Sequence, residues 1–188
     1  MTAGVRAVVV DDMSGVRECA AIGIEASLEQ TPDIDAEWLY GLRPEDATTN
    51  ELTIPLQLVG RVMSTKAVEP GDGVSYGYTH RVVAPTVLAL VTGGYAQGVV
   101  RALGNNASVE IAGVLHPIVG RVAMDVCVVD LETADADTAA RHEGAHAIYF
   151  GGSGPARTNL SRWAEVTGMT ERELVSVTGA KAVREWTS

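Results

Sequence analysis

The stretch that decides the architecture reads VEIAGVLHPIVGRVAMDVCVVDL and spans residues 109–131. Four short apolar runs follow one another along it: Val109–Ile111, Val114–Leu115, Ile118–Val122 and Val126–Leu131. The first two runs are joined across Ala112-Gly113, a pattern that predicts a β-hairpin, and the other two are predicted to continue the sheet. Short strands separated by tight turns are typical of a small barrel or sandwich.

Apolar runs with the spacing of β-strands continue on both sides of this stretch. They predict three further strands, Ile54–Val68, Val82–Val91 and Ala145–Phe150. Pro85 places the second of them at a sheet edge or a bulge, because proline cannot donate to a strand ladder. After these strands the spacing of the apolar residues changes from that of a strand to that of a helix. Asn159 is predicted to cap a helix that runs to Gly168. Residues 170–173 form a capping-box pattern that opens a second short helix ending near Gly179.

The N-terminal residues have a different character. The β-branched run Val5–Val10 predicts a short strand, Ala20–Leu28 is interpreted as a helix, and Thr31-Pro32-Asp33 breaks the chain. We therefore expect two parts, an N-terminal extension and linker at residues 1–47 and a mostly β domain (α+β) at residues 48–188. The fold class expected for the second part is a small Greek-key-like β barrel with two short C-terminal helices.

Composition narrows the class of protein. The 188 residues are 46% hydrophobic, and 24 acidic against 14 basic side chains give a formal net charge of −10. Such a chain repels phosphate backbones and anionic lipid, so we expect no nucleic-acid or membrane partner. The most apolar stretch is far shorter than the ~20 residues of a membrane-spanning helix. Two distant cysteines, Cys19 and Cys127, and the lack of a signal-peptide pattern indicate a reduced, cytoplasmic protein.

One motif points to a metal hydrolase. His142-Glu143-Gly144-Ala145-His146 satisfies the H-E-x-x-H pattern of zinc peptidases, and Glu165 lies downstream as a conceivable third ligand. That chemistry needs both imidazoles on one helix face, whereas residues 145–150 alternate like a strand. On a strand the two histidines would stand about 13 Å apart, too far to share a zinc ion. We expect no metal site and keep a zinc hydrolase as a remote alternative.

Glycine-rich segments are informative only in combination. Residues 151–154, Gly-Gly-Ser-Gly, either form an anion-binding nest of backbone N–H groups or serve as a flexible linker, and the linker is favoured. Residues 73–79 place two tyrosines directly after a turn. A tyrosine hydroxyl is a general acid or base where its surroundings tune it, and otherwise packs at strand edges.

Together these segments form an ordered series with a specific resemblance. From Leu52 to about Gly152 the chain resembles the C-terminal β domain of pyridoxal-phosphate-dependent alanine racemases. The resemblance is carried by blocks in the right order and spacing: Arg61-Val62 with Lys66, residues 70–77 (PGDGVSYG), 94–98 (GYAQG) with Arg101-Ala102-Leu103, 109–113 (VEIAG), 117–125 (PIVGRVAMD) and 144–151. Leu39–Pro44 is similar to the segment that leaves the family's barrel for its β domain.

The resemblance implies roles for particular residues. The family's active enzyme is a head-to-tail dimer in which a (β/α)8 barrel carries the Schiff-base lysine and the partner's β domain reaches over with a tyrosine. Tyr76 matches that catalytic tyrosine, and Met124 matches the residue whose backbone N–H helps to hold the substrate carboxylate. Tyr95, Arg101 and Asp125 match positions that line the path of the substrate.

Some features depart from the family's pattern. The only lysines are Lys66 and Lys181, neither in a barrel strand, and 47 residues cannot build a (β/α)8 barrel of roughly 200 or more. Gln97 stands where the family usually has Asp, and Ala123 replaces a common Cys. Arg172 stands where a family tyrosine contacts the cofactor phosphate, and an arginine is able to pair with a phosphate. We therefore expect no cofactor on this chain alone, and pyridoxal phosphate only with a barrel partner.

Two functions remain open from sequence. In the first, the chain is the β subunit of a split amino-acid racemase, an isomerase, and supplies Tyr76 to a separate barrel protein that acts on a small amino acid. In the second, it is a non-catalytic binding or assembly module that retains only the fold. Either case predicts a homo-oligomer, because a lone β domain exposes an apolar face, and the Val5–Val10 strand is the predicted contact.

Overall fold

The computed structural model describes residues 7–10, 12–28 and 56–185. The chain divides into two compact units, Met1–Leu39 and Tyr40–Ser188, and each is described by itself. The predicted boundary between residues 47 and 48 lies outside the described residues, so it stays a prediction. The same holds for the breaker at residues 31–33 and for the segment Leu39–Pro44.

The N-terminal unit contains a parallel strand pair with a helix between the strands. Strand β1 (Ala7–Val9) pairs in parallel with β2 (Glu25–Ser27), and helix α1 (Met13–Ala21) connects them. The helix starts where Asp12 accepts hydrogen bonds from the backbone of the first turn. The predicted helix over Ala20–Leu28 is therefore wrong. The chain turns at Gly23, whose φ of 76° ends the helix, and the residues after it form a strand.

The second unit is a curled antiparallel sheet. Its strands are β3 (Gln57–Val68), β4 (Gly73–Val74), β5 (His80–Arg81), β6 (Thr86–Thr92), β7 (Ser108–Ile111), β8 (Val114–Pro117), β9 (Val126–Asp130) and β10 (His146–Gly151). Six of them form one sheet in the order β8-β7-β10-β3-β6-β9, and β4 pairs with β5. Ile118, directly after β8, bridges Val129 of β9, and the Val119 N–H donates to the Val128 carbonyl at 2.8 Å. Because these contacts join the two edges, the sheet curls into a barrel, as the sequence predicted.

Two strand predictions need correction. Residues 118–122 do not continue the sheet as a strand beyond the single bridge at Ile118. Gly120 has a φ of 73° there, which a strand does not allow, and the chain turns toward β4. The buried strand predicted at 82–91 forms as β6, but the place that Pro85 predicted for it, at a sheet edge or a bulge, is wrong. β6 lies inside the sheet between β3 and β9, and Pro85 stands just before it, outside the ladder.

Three helices in the described part of the second unit complete the fold: α2 (Ala136–Ala140), α3 (Asn159–Thr167) and α4 (Glu171–Gly179). α4 begins with the predicted capping box, in which Thr170 and Glu173 bond each other's backbone N–H. Asn159, predicted to cap α3, is instead buried. Its Nδ2 donates to the carbonyls of Ser108 and Tyr149, both at 2.9 Å, and so ties the helix to the sheet.

The core lies between the sheet and α3. Trp163 on α3 is fully buried and makes edge-to-face contacts with Tyr149 and Phe150 of β10, at centroid distances of 6.0 and 5.3 Å. A second, smaller cluster of buried side chains is formed by Val68, Val74, Val82, Leu88 and Val119. Within the described ranges, no helix has the length and apolar character needed to cross a lipid bilayer.

Candidate active site

Tyr76 lies on a strained loop that joins β4 to β5. Ser75, Gly77 and Tyr78 all have positive φ, at 57°, 74° and 46°. A non-glycine residue in this region is strained and needs support from its surroundings. The Ser75 hydroxyl donates to the Arg121 carbonyl at 2.6 Å and so ties the loop to residues 119–125. The Tyr76 side chain is 71% exposed.

Gly120 allows the two segments to approach closely. A Cβ atom at Gly120 would lie 2.8 Å from the Val74 carbonyl oxygen and 2.9 Å from the Ser75 Cβ. Only glycine leaves this space free, and only glycine adopts its φ without strain. Gly120 therefore sets the depth at which the loop carrying Tyr76 sits on residues 119–125.

The same segment carries Met124 and contacts a second turn. The N–H groups of Tyr95 and Ala96 donate to the carbonyls of Ala123 and Met124, at 3.0 and 2.9 Å. A Cβ at Gly94 would collide with both of these carbonyl oxygens. The Met124 side chain is 54% exposed, and its own N–H makes no hydrogen bond within the described ranges.

The predicted path-lining residues meet at this second turn. The Arg101 guanidinium lies over the Tyr95 ring, 4.2 Å from its centroid. Asp125 accepts a hydrogen bond from Gln97 Nε2 at 3.0 Å, while Gln97 Oε1 accepts from the Gly94 N–H at 2.9 Å. An aspartate at position 97 could not donate to Asp125 and would repel it, so the glutamine here links the turn to residue 125.

A buried hydroxyl supports the turn from inside. Tyr149 donates to the Thr92 carbonyl at 2.8 Å and also lies 3.1 Å from the Gly93 carbonyl oxygen and 3.2 Å from Cys127 Sγ. Burial raises the pKa of the Cys127 thiol to about 11 and the pKa of Tyr149 well above its ordinary value. Both groups therefore stay protonated at neutral pH and act in packing and hydrogen bonding.

Arg172 lies away from this turn. Thr178, near the C-terminal end of α4, packs against Gly98 of the turn, with its Cα 2.9 Å from where a Cβ would be. Arg172 is the second residue of the same helix, about 9 Å back along its axis at 1.5 Å per residue. It is exposed and stands between Glu171 and Glu173, two carboxylates that oppose an approaching phosphate.

The described residues do not by themselves form a cradle for pyridoxal phosphate. Lys66 is an exposed residue of β3, paired with Leu88, and Lys181 lies in the turn after α4. Covalent attachment requires a lysine held against the cofactor by the fold, and neither position offers such an enclosure. Arg172 does not lie in an enclosure either, because it is exposed and stands between Glu171 and Glu173.

The H-E-x-x-H letters do not form a zinc site. His142 lies in the turn after α2 and His146 opens β10, so the two imidazoles do not share a helix face. Glu143 is engaged elsewhere: its Oε1 accepts from the Thr65 N–H and hydroxyl at 2.8 and 2.9 Å. In the part of the chain that the structure describes, no group of three or more His, Cys, Asp or Glu side chains is arranged to hold a metal ion.

The glycine-rich segment at 151–154 is neither an open nest nor a free linker. The Glu110 side chain is buried against it: Oε2 accepts from the Ala156 N–H at 2.8 Å, and both carboxylate oxygens press on Gly154. A carboxylate of the chain itself therefore occupies this turn. The local sequence pattern does not reveal this contact, because Glu110 and Ala156 are 46 residues apart.

Arginines not singled out in the sequence accompany the tyrosines. The Arg121 guanidinium lies against Gly77, with its Cζ 3.5 Å from where a Cβ would be, and Arg81 lies 5.8 Å from the Tyr78 ring centroid. With Arg101 on Tyr95, each tyrosine loop has a cation beside it in a chain of net charge −10. Three guanidinium groups therefore lie beside these loops, and a guanidinium is able to bind a carboxylate.

The fold and this surface define a class of protein: a barrel-type β domain whose loops 75–79, 94–98 and 119–125 are hydrogen-bonded into one surface of tyrosines and arginines. The sequence model of the alanine racemase C-terminal domain matches residues 55–186. The chain is 41% identical over 157 residues to the alanine racemase of Mycolicibacterium vanbaalenii, covering 84% of this chain and 37% of that protein. It is 33% identical over 180 residues to the enzyme of Mycobacterium avium, covering 92% and 46%.

Solved structures give the same answer. Alanine racemase of Clostridium difficile 630, in complex with cycloserine, superposes with a TM-score of 0.64 at 29% identity, covering 82% of this chain and 38% of that one. The enzyme of Streptomyces coelicolor A3(2) superposes with a TM-score of 0.56 at 32% identity, covering 66% and 31%. The chain belongs to the alanine racemase family, and the part of the family that it matches is the C-terminal β domain.

The chain matches only part of the length of each of these relatives. The chain spans less than half the length of the alanine racemases it matches. The alignment with the Mycobacterium avium enzyme takes in 92% of the 188 residues, so it extends well into residues 1–47. The N-terminal part of this chain is thus also similar to that enzyme.

Proposed function

We propose that this domain is the β subunit of a split amino-acid racemase and supplies Tyr76 to an active site on a barrel-bearing polypeptide. One observation carries the proposal. Tyr76 is a 71% exposed phenol on a strained loop that is bonded to the segment carrying Met124. A strained loop that presents a polar side chain outward is typical of a functional site. The relatives' name, alanine racemase, gives the substrate class: a small amino acid.

Each site residue has a role in this proposal. The Tyr76 hydroxyl exchanges a proton with the substrate, and the Met124 N–H binds its carboxylate. Arg101, held over Tyr95, and Asp125, held by Gln97, line the path by which the substrate enters. The barrel polypeptide provides pyridoxal phosphate and its lysine, and the phosphate contact that the resemblance implies for Arg172 is left out of the proposal because Glu171 and Glu173 flank it.

The test reconstitutes an active site from two polypeptides. The full chain is mixed with an alanine racemase from which the C-terminal domain has been removed, and racemisation of L-alanine is followed by the appearance of D-alanine. We expect activity that depends on both components. Tyr76→Phe should lower kcat by about 10²–10⁴-fold, the usual contribution of a general acid or base.

Tyr78→Phe is the matched control. Tyr78 lies on the same loop, is 62% exposed, and loses the same single hydroxyl. We expect it to change kcat by less than about threefold, because its ring faces Arg81 and no step is assigned to its hydroxyl. Equal effects of the two substitutions, or no activity with any barrel component, would contradict the proposal.

A second candidate, a non-catalytic binding or assembly module, rests on a specific observation. Lys66 and Lys181 lie outside any enclosure, and Arg172 stands between two glutamates. In that case the barrel component still binds, but the mixture does not racemise alanine and Tyr76→Phe leaves the binding constant unchanged. Binding measured by calorimetry beside the activity assay separates the two functions.

The domain's association is also part of the proposal. Exposed apolar side chains near the tyrosine loops, Tyr76, Tyr78, Val83 and Met124, fit a surface that is covered by another polypeptide or by a second copy. We place this assembly in the cytoplasm. Sedimentation of the chain alone and with the barrel component tests both kinds of association.

A further inference from the structure

The side chain of Asn105 makes two hydrogen bonds around the loop that carries Tyr76. One goes to Thr79, where the loop ends, and the other to Gly120, which packs under the residues where the loop begins. Asn105 follows the short helical turn Arg101–Leu103 and has a φ of 63°. Its Oδ1 accepts a hydrogen bond from the Gly120 N–H at 2.7 Å. Its Nδ2 donates to the Thr79 hydroxyl at 3.2 Å.

These two contacts lie on either side of Tyr76. Gly120 packs directly under Val74 and Ser75, the residues that lead into the loop. Thr79 is the residue at which the loop ends before β5. The backbone of Asn105 is itself held in place, because its N–H donates to the Ile118 carbonyl at 2.9 Å.

Asparagine suits this position for physical reasons. It tolerates the left-handed backbone region better than other residues with a side chain. Its amide also offers an acceptor and a donor at once, and the position uses both. Aspartate would keep the acceptor and lose the donor, while glycine would keep the backbone conformation and lose both bonds.

We infer that Asn105 is a positioning residue that holds the loop carrying Tyr76 in its strained conformation. Ser75 and Tyr78 are non-glycine residues with positive φ, so the loop keeps its shape only while outside contacts fix it. The Ser75–Arg121 bond fixes one end, and the Asn105–Thr79 bond fixes the other. The catalytic consequence rests on the proposed function, whereas the effect on the loop does not.

Two variants separate the two bonds of Asn105. Thr79→Val removes the bond to the loop and keeps the bond to Gly120, whereas Asn105→Gly removes both. Asn105→Asp does not separate them, because the Thr79 hydroxyl is able to donate to the new carboxylate. Asn106→Gly is the matched control, because the hydrogen bonds described for the Asn106 amide go to the nearby carbonyls of Ala102 and Gly104.

The first readout uses the full chain alone. We expect backbone ¹⁵N order parameters at Tyr76–Tyr78 to fall from rigid values of about 0.85 to below about 0.6 in Thr79→Val and in Asn105→Gly. The double variant should add nothing at these residues, since Asn105→Gly already breaks the bond to Thr79. The Gly120 amide should exchange at least about tenfold faster in Asn105→Gly and unchanged in Thr79→Val.

The second readout uses the mixture with the barrel component. Thr79→Val should lower kcat about tenfold and leave KM within about twofold, because only the proton donor is displaced. The α-deuterium isotope effect should rise for the alanine enantiomer whose proton faces Tyr76 and stay constant for the other. A general loss of folding would affect both enantiomers equally.

The outcomes decide separately. Unchanged order parameters at Tyr76–Tyr78 in Thr79→Val would overturn the inference, whether or not the mixture is active. An inactive wild-type mixture would overturn the proposed function, and the order parameters would still decide the role of Asn105. If Asn105→Gly fails to fold, Thr79→Val still makes the test.

Discussion

At the scale of single residues, the chemistry of this domain is decided by which polar groups are buried. Cys127 and Tyr149 lie 3.2 Å apart in the core, with exposed fractions of 1% each. Neither can ionise there without losing hydration, so both keep their protons. Their hydrogen bonds lead outward to the carbonyls of Thr92 and Gly93, at the base of the turn that carries Tyr95.

This burial predicts a loss of stability in alkali. The folded pKa of Cys127, about 11, lies above its ordinary value of 9.0, so the folded state retains the proton longer than the unfolded state. The resulting stabilisation is present below about pH 9 and is lost as the pH rises toward 11. At about 1.4 kcal/mol per pKa unit the loss approaches 3 kcal/mol, and Tyr149 acts in the same direction.

Urea unfolding at a series of alkaline pH values measures this effect. Cys127→Ala should flatten the fall in unfolding free energy between about pH 9 and pH 11. Cys19→Ala removes the only other thiol, which lies in the N-terminal unit, and should leave the slope unchanged. An equally steep fall in Cys127→Ala would show that other groups cause it.

At the scale of elements, the site depends on contacts between loops that are distant in sequence. Gly94 has an ordinary extended φ of −129°, so backbone freedom is not the reason for glycine here. The reason is contact: the carbonyl oxygens of Ala123 and Met124 occupy the space of a side chain. The turn that carries Tyr95 and the segment that carries Met124 therefore form one element of the site.

Gly94→Ala should separate these two segments. The added methyl collides with two backbone carbonyls, so we expect about 1–3 kcal/mol of destabilisation and shifted amide resonances at Tyr95 and Met124. Gly179→Ala at the end of α4 is the control, because nothing lies within 4 Å of a Cβ there. It should be neutral or stabilising by up to about 1 kcal/mol. Urea denaturation and ¹⁵N spectra measure both, and a neutral Gly94→Ala would contradict the contact.

At the scale of the whole molecule, one aromatic side chain joins helix and barrel. Trp163 is fully buried on α3 and packs edge-to-face against Tyr149 and Phe150 of β10. Tyr149 in turn supports the turn that carries Tyr95. Helix α3 is therefore part of the core that holds the site in shape.

Trp163→Ala should cost about 3–5 kcal/mol of unfolding free energy, the usual range for a large aromatic core truncation. Trp163→Phe should cost much less. It keeps an aromatic ring and removes an indole N–H that has no hydrogen-bond partner in the described part of the chain. Urea unfolding followed by near-ultraviolet circular dichroism makes the comparison, and equal losses in the two variants would refute this account.

Much of the architecture follows from the sequence alone, because its causes are local. The hairpin across Ala112-Gly113, whose two turn residues have φ of 51° and 81°, and the capping box at Thr170 depend on residues a few positions apart. The order of the family blocks likewise identified the domain. Tyr76 and Met124 were singled out by that resemblance, and their chemical roles stay predictions.

What only the tertiary structure decided depends on contacts across long stretches of chain. The amide of Asn159 turns inward to the sheet, Glu110 fills the glycine turn, and Gly120 ends a predicted strand because it packs under Ser75. Local pattern cannot reveal these contacts, because the pairs Asn159–Ser108, Ala156–Glu110 and Gly120–Ser75 are 51, 46 and 45 residues apart in sequence. The sequence by itself determined most strands of the second unit, the capping box at Thr170 and the family. The closed barrel determined which loops meet around Tyr76, because long-range hydrogen bonds and close backbone approach exist only after folding.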